Sequence, residues 1–243
     1  MNATAETTIR DIVTEDYRAA AVFQQHGIDF CCGGNKTIDE ACRGRGLNAA
    51  QVLLDVARAC ATPDTSGQQF GAWEPPALVD YIVTKHHGYV RQAMPTIAAY
   101  TRKLSSVHGP NHPELIEVER LFAGVVAEMT MHMMKEEQIL FPFIVKLAEA
   151  AAQNRPAPPI PFGTVANPIR MMEDEHESAG NALARIRTLT SGYQPPEDAC
   201  TTYRVGLQEL EAFEEDLHAH VHLENNILFP KALELERAAG TAD

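Results

Sequence analysis

HMMKEEQILFP, residues 132–142, returns 88 residues later as HVHLENNILFP, residues 220–230. Each copy carries a histidine, a glutamate four residues on, and Ile-Leu-Phe-Pro at the same offsets, so His132 and Glu136 correspond to His220 and Glu224. Packing alone accounts for a repeated apolar tail. It gives no reason to repeat an ionisable pair.

Working outward, the flanking residues show helical periodicity. Leu121, Val125, Met129, His132, Glu136, Ile139 and Phe143 recur at three- and four-residue spacing, as do Phe213, Leu217, His220, Glu224 and Ile227. Residues i and i+4 of a helix share a face, so each stripe predicts a helix whose apolar side is interrupted by one His and one Glu. Two further stripes offer one histidine each. Ile169, Met172, His176, Leu183 and Ile186 form one, and His176 lies 44 residues before His220. Val83, His87, Val90, Met94 and Ile97 form the other, and His87 lies 45 residues before His132. His86 competes with His87, because it fits a second stripe with Val79, Ile82 and Val90.

Four segments, at roughly 77–105, 113–149, 168–191 and 197–236, with strand signals nearly absent, predict a four-helix bundle of two related halves. Pro142 and Pro230 are expected to kink their helices or to end the first part of each. Facing stripes would bury four imidazoles and two carboxylates together. Unpaired buried carboxylates cost several kcal/mol each, and no Lys or Arg occupies the stripes. A metal is the natural counter-charge. Nitrogen and oxygen donors without sulfur suit iron, manganese or zinc, and two central carboxylates suit a dinuclear site. The pattern therefore selects His132, Glu136, His176, His220 and Glu224, with the remaining histidine either His87 or His86 and the repeat spacing slightly on the side of His87. His218 and His222 lie about 200° from His220 on an ideal helix and are expected at the surface. His108 is a candidate for the surroundings of the site.

Ahead of the bundle, residues 1–60 read as a small helical unit, with capping boxes at TIRD and TIDE, a helix-ending Gly27 and an N-cap at Asn48. Residues 61–76, rich in Pro, Gly, Ser and Thr, read as a linker, and 77–237 as the bundle. The small unit contains DFCCGG. A turn built on Gly33 and Gly34 is expected to present Cys31 and Cys32 beside free backbone N–H groups, which would lower thiol pKa. The alternative is two small buried apolar residues. Five cysteines in all give no secreted disulfide framework and fit a reducing compartment.

The net charge of −13 argues against a nucleic-acid surface. No run of about 18 apolar residues predicts a membrane span. The first residues lack the features of a signal peptide. A cytoplasmic protein is expected.

The His…His-x-x-x-Glu…His…His-x-x-x-Glu pattern, together with IRDIV…FQQHGIDFCCGG…TIDEAC, resembles the Ric (repair of iron centres) di-iron proteins over residues 8–236. In that family a short cysteine-containing domain precedes a hemerythrin-like domain. The resemblance implies repair of iron–sulfur clusters damaged by nitric oxide or oxidants. It implies two iron ions, oxo- or hydroxo-bridged, on His87, His132, Glu136, His176, His220 and Glu224, with Glu136 and Glu224 as bridges. It also implies a redox or iron-transfer role for Cys31 and Cys32. The implied partners are damaged iron–sulfur proteins and small gases such as nitric oxide or oxygen, and a homodimer stays open. Oxygen-carrying hemerythrins have a further histidine where this chain has Gly180, and an aspartate five after the last ligand histidine, where Asn225 stands. Open metal positions result, which favours reactivity or iron release over oxygen carriage. The alternatives are nitric oxide binding or removal, and a non-catalytic oxygen or redox sensor.

Overall fold

The computed structural model describes residues 3–61, 69–159 and 161–240, and every regular element among them is a helix. The first unit holds α1 (Ile9–Glu15), α2 (Ala19–Gln25), α3 (Ile38–Arg43) and α4 (Ala49–Ala59). Thr8 and Thr37 cap α1 and α3 through their hydroxyls, and at α3 the Glu40 carboxylate accepts in turn from the Thr37 N–H, completing a capping box. The two caps lie side by side, joined by an antiparallel bridge between Thr8 and Thr37. Gly27 comes after α2 at φ +66°, a left-handed conformation open to glycine at little cost.

Four long helices make up the rest. α5 spans 75–108, α6 spans 114–152, α7 is Ala166–Leu189, and α8 spans 201–240. α5 packs on α6, α6 on α7, and α8 against α5 and α7, closing the bundle. Its interior is not uniformly apolar. One apolar cluster contains Val90, Ile97, Phe122, Phe213 and the core of the first unit. A second contains Leu78, Ile82, Phe141, Ile144, Ile169 and Phe229. A layer of buried histidines and glutamates lies between them.

Three of the four bundle helices change register at this layer. π-helical turns occupy Ile82–His87, Glu136–Leu140 and Glu224–Leu228. The prolines account for the last two. Pro142 and Pro230 have no N–H, and in a regular helix their rings would meet the carbonyl four residues back. Closing i→i+5 loops from Phe141 N–H to the Glu136 carbonyl, and from Phe229 N–H to the Glu224 carbonyl, absorbs the problem and lets each helix continue. The prolines thus neither end nor break their helices. The added residue rotates the rest of the helix, so Ile139, expected inside, is 53% exposed and Leu140 takes its place at 1%. Ile227 stays buried because its turn also packs against α1 and the start of α5.

The end of the segment read as a linker is packed rather than free. Phe70–Ala72 forms a 3-10 turn, Phe70 is buried, and its ring meets Trp73 and Tyr81 with centroids 5.0 Å away in each case. Residues 62–68 of that segment lie outside the described residues.

Candidate metal centre

The structure brings the six candidate ligands together and leaves each at most 1% exposed. They fall into two groups that share both carboxylates: His87 and His220 with Glu136 and Glu224, and His132 and His176 with the same pair. Within the groups the imidazoles face one another through Nε2, at 3.1 Å for His87–His220 and 3.0 Å for His132–His176. Glu136 Oε2 lies 3.3 Å from both His87 Nε2 and His132 Nε2. Glu224 presents Oε1 to His220 Nε2 at 2.9 Å and Oε2 to His176 Nε2 at 3.1 Å. Each carboxylate therefore reaches both groups.

The outward nitrogens fix which way the imidazoles donate. His87 Nδ1–H donates to Glu137 Oε1 at 2.6 Å, and His132 Nδ1–H to Glu175 Oε2 at 2.9 Å. His176 Nδ1–H donates to the Asn225 side-chain oxygen at 2.9 Å. Neutral imidazoles held this way turn their Nε2 lone pairs inward, as metal-bound histidines do. Arg91 and Lys135 pair with Glu137 and Glu175 in turn.

This arrangement fits a metal. Two cis nitrogens on a six-coordinate ion, each about 2.1 Å from it, stand roughly 3.0 Å apart, which is the spacing of both Nε2 pairs. Both oxygens of Glu136 and Oε2 of Glu224 are fully buried without a hydrogen-bond donor in good geometry. Buried orphan carboxylate oxygens need a cation. Without metal, protons take that part. Burial opposes charge on His87, but Glu136 and Glu224 outweigh it and push the imidazole up to about 10. His132 is likewise pushed up to about 9, with burial overcome by Glu136. Glu224 sits well below the usual carboxylate range, because His220, His176 and His87 overcome its burial.

Of the competing pair, His87 joins the cluster. His86 instead turns to Asp216, with Nδ1 3.1 Å from Oδ1, and stacks on the His220 ring. His108 lies at the end of α5 against Tyr203 and Cys200, apart from the cluster. The surface expectation for His218 and His222 is corrected. His222 is 1% exposed and His218 is partly buried, because the first unit covers that side of α8. Phe30 lies against both rings, and Tyr17 against His222. Burial accordingly drives the His222 imidazole down to about 3.

The cysteine pair is docked on the same side of the bundle. The Asn225 amide donates to the Cys31 carbonyl at 3.3 Å while its oxygen holds His176. Asn226 donates to the Phe30 carbonyl at 3.1 Å. Gly34 is required here, since a Cβ on it would lie 2.5 Å from the Asn226 side-chain oxygen. Sequence reasoning passed over Asn225 as a partner of the site. The signal was present: five residues after its histidine, the first copy of the repeat has Glu137, which holds His87, and the second has Asn225, which holds His176.

The expected thiol activation is also corrected. Asp29 Oδ1 takes the backbone N–H groups of Cys31 at 3.0 Å and Cys32 at 2.9 Å, so they are not free to stabilise thiolate. Contact with Cys32, burial and nearby Asp29 raise the Cys31 thiol well above its ordinary value. All five cysteines are free thiols.

Comparison with known proteins agrees with this architecture. Residues 78–232 match the family model described as the hemerythrin HHE cation binding domain, and residues 5–59 match ScdA_N, a domain of unknown function. The iron–sulfur cluster repair protein ScdA of Staphylococcus haemolyticus is 34% identical over 228 residues, covering 94% of this chain and 98% of the relative. The probable iron–sulfur cluster repair protein of Haemophilus influenzae is 31% identical over 232 residues, covering 94% and 97%. The repair protein YtfE of Musicola paradisiaca is 34% identical over 228 residues, covering 94% and 96%.

Proposed function

Because this chain belongs to the iron–sulfur cluster repair (Ric) family with a hemerythrin-like domain, we propose that it repairs iron–sulfur clusters damaged by nitric oxide or oxidants by delivering iron. The observation that carries this is the duplicated buried arrangement of Nε2 pairs over two shared carboxylates. In this reading His87 and His220 on one side and His132 and His176 on the other would hold iron, together with Glu136 and Glu224, which both groups share. Bound there, iron is a store of the metal that a damaged cluster has lost. The residues around it keep it in place. Glu137, Glu175 and Asn225 hold three imidazoles in one tautomer and orientation, and the apolar clusters on either side exclude water.

Cys31 and Cys32 act as transfer thiols on the unit formed by residues 1–60, with 61–76 joining it to the bundle at 77–237. Clients are iron–sulfur proteins. Replacing both cysteines by serine is expected to leave the iron of the buried centre unchanged, since none of that centre's proposed ligands is a cysteine. Recovery of a nitric-oxide-treated iron–sulfur enzyme should fall to the level seen without the protein. Full recovery with the double variant would remove the thiols from the function. Nitric oxide capture is the second reading. It is favoured by Gly180, one turn past His176, which supplies no ligand and leaves metal positions open.

A further inference from the structure

The turn that carries the cysteine pair contains three donors outside the buried centre. One atom each from Asp29, Cys31 and Cys32 lies within 4.8 Å of the others. The two sulfurs are 3.9 Å apart, far beyond the ~2.05 Å of a disulfide. They are close to the roughly 3.8 Å expected for two thiolates on one tetrahedral ion with bonds of ~2.3 Å. Asp29 Oδ1 accepts from the two backbone N–H groups and from the Cys31 thiol at 3.3 Å, bonds that do not use Oδ2, the oxygen offered to a cation. The turn is held tightly. A Cβ on Gly33 would lie 2.8 Å from the Asp29 carbonyl oxygen, and Asn225 and Asn226 grip the backbone from the bundle side.

These donors open into a cavity of about 510 Å³ between the turn and α7. Glu173 and Glu177, on either side of His176 in sequence, line the opposite wall. Arg10 and Arg187 line it as well, so the cavity is not a simple acidic trap and selection falls to the sulfurs. Sulfur with one carboxylate selects a borderline-soft divalent ion such as ferrous iron, cobalt or zinc over magnesium or calcium.

We propose that Asp29, Cys31 and Cys32 form a second metal site, a surface-facing port for one divalent cargo ion, separate from the buried histidine–glutamate centre. Binding replaces the two thiol protons, which leave to solvent, and a water or client ligand completes four-coordination. The ion's identity as repair iron rests on the function proposed above, whereas the site itself rests on this geometry.

Cobalt(II) tests it, added to the iron-loaded full-length protein. One cobalt per chain beyond the iron should bind, with near-ultraviolet sulfur-to-cobalt charge-transfer absorption and visible bands of a tetrahedral ion. The variant C31S/C32S should lose both signals and keep its iron. Asp29→Asn keeps the Oδ1 acceptor that holds the turn and should weaken cobalt binding by about tenfold or more, since even an outer-shell loss costs 10–100-fold. Absence of the absorption in the wild-type protein, its persistence in C31S/C32S, or unweakened binding by Asp29→Asn would overturn the site. A repair assay on the wild-type protein separates the two claims. Its failure alone rejects the proposed function, and a missing cobalt signal alone rejects the port.

Discussion

The two halves of the buried centre each pair two histidines over the same two glutamates but have different surroundings. In the His87/His220 half, His87 is backed by the carboxylate of Glu137, while the His220 Nδ1 finds no hydrogen-bond partner and the His86 ring stacks on it. In the His132/His176 half, His132 is backed by Glu175, and His176 by the neutral amide of Asn225, which also holds the Cys31 carbonyl. Each half thus has one carboxylate-backed imidazole. Only the second is tied to the cysteine turn. The histidines and glutamates of the repeat match between the halves. The residues behind them differ where one half meets the unit that carries the cysteine turn.

The largest test removes what the halves share. Glu136→Ala or Glu224→Ala is expected to lose at least one of two irons per chain, read as metal content and absorption spectrum. Two tightly held irons and an unchanged spectrum in either variant would show that the halves do not depend on a shared carboxylate.

A smaller test separates the halves. Asn225→Leu removes both the acceptor for His176 and the donor to Cys31. One iron should weaken by roughly 10–100-fold, and alkylation of Cys31 should speed up in the same protein. Glu137→Gln retains an acceptor for His87 and should weaken iron by less than tenfold, with Cys31 alkylation unchanged. Equal alkylation rates in the two variants would make the tether to the second half irrelevant.

The mildest test uses pH on metal-free protein. His87 and His132, one in each half, have folded-state values near 10 and 9 against 6.5 for an unperturbed imidazole. A raised value gives stability that is full below the unfolded value and is lost as pH climbs through the folded one. The Tm of the metal-free protein should therefore fall between about pH 7 and pH 10. Iron-loaded protein, with those protons displaced by metal, should fall less over the same range. A Tm of the metal-free form that is flat across that window would show that the imidazoles do not carry the protons.

Much of this was readable from the chain itself. The repeated His-x-x-x-Glu works because four residues make nearly one helical turn, so periodicity alone turns both groups inward. The threonine caps at Thr8 and Thr37 were legible because their chemistry is local, although only Thr37 completes the capping box expected at both. His222 was not, since what buries it comes from Tyr17 and Phe30, nearly 200 residues away in sequence. Ile139 failed for a different reason: a stripe assumes one uniform period, and the π-turn at Glu136–Leu140 breaks it. The backbone N–H groups beside Cys31 and Cys32 were misjudged as free because Asp29 takes both, and that competition depends on how the turn folds.

Those π-turns also constrain which sequence lengths this bundle accepts. Each inserts one residue into a helix whose two ends are committed to different partners, the apolar cluster on one side of the ligand layer and the one on the other. Deleting a single residue between Glu136 and Leu140 would remove the extra residue of the π-turn while Pro142 still bars a regular helix there. It would also turn everything from Phe141 onward by about 100° relative to His132, taking Phe141, Ile144 and Leu147 off the core. Point changes in that stretch alter contacts one at a time, whereas a one-residue deletion puts two correct halves out of phase. Indels there should be far rarer among viable variants than substitutions.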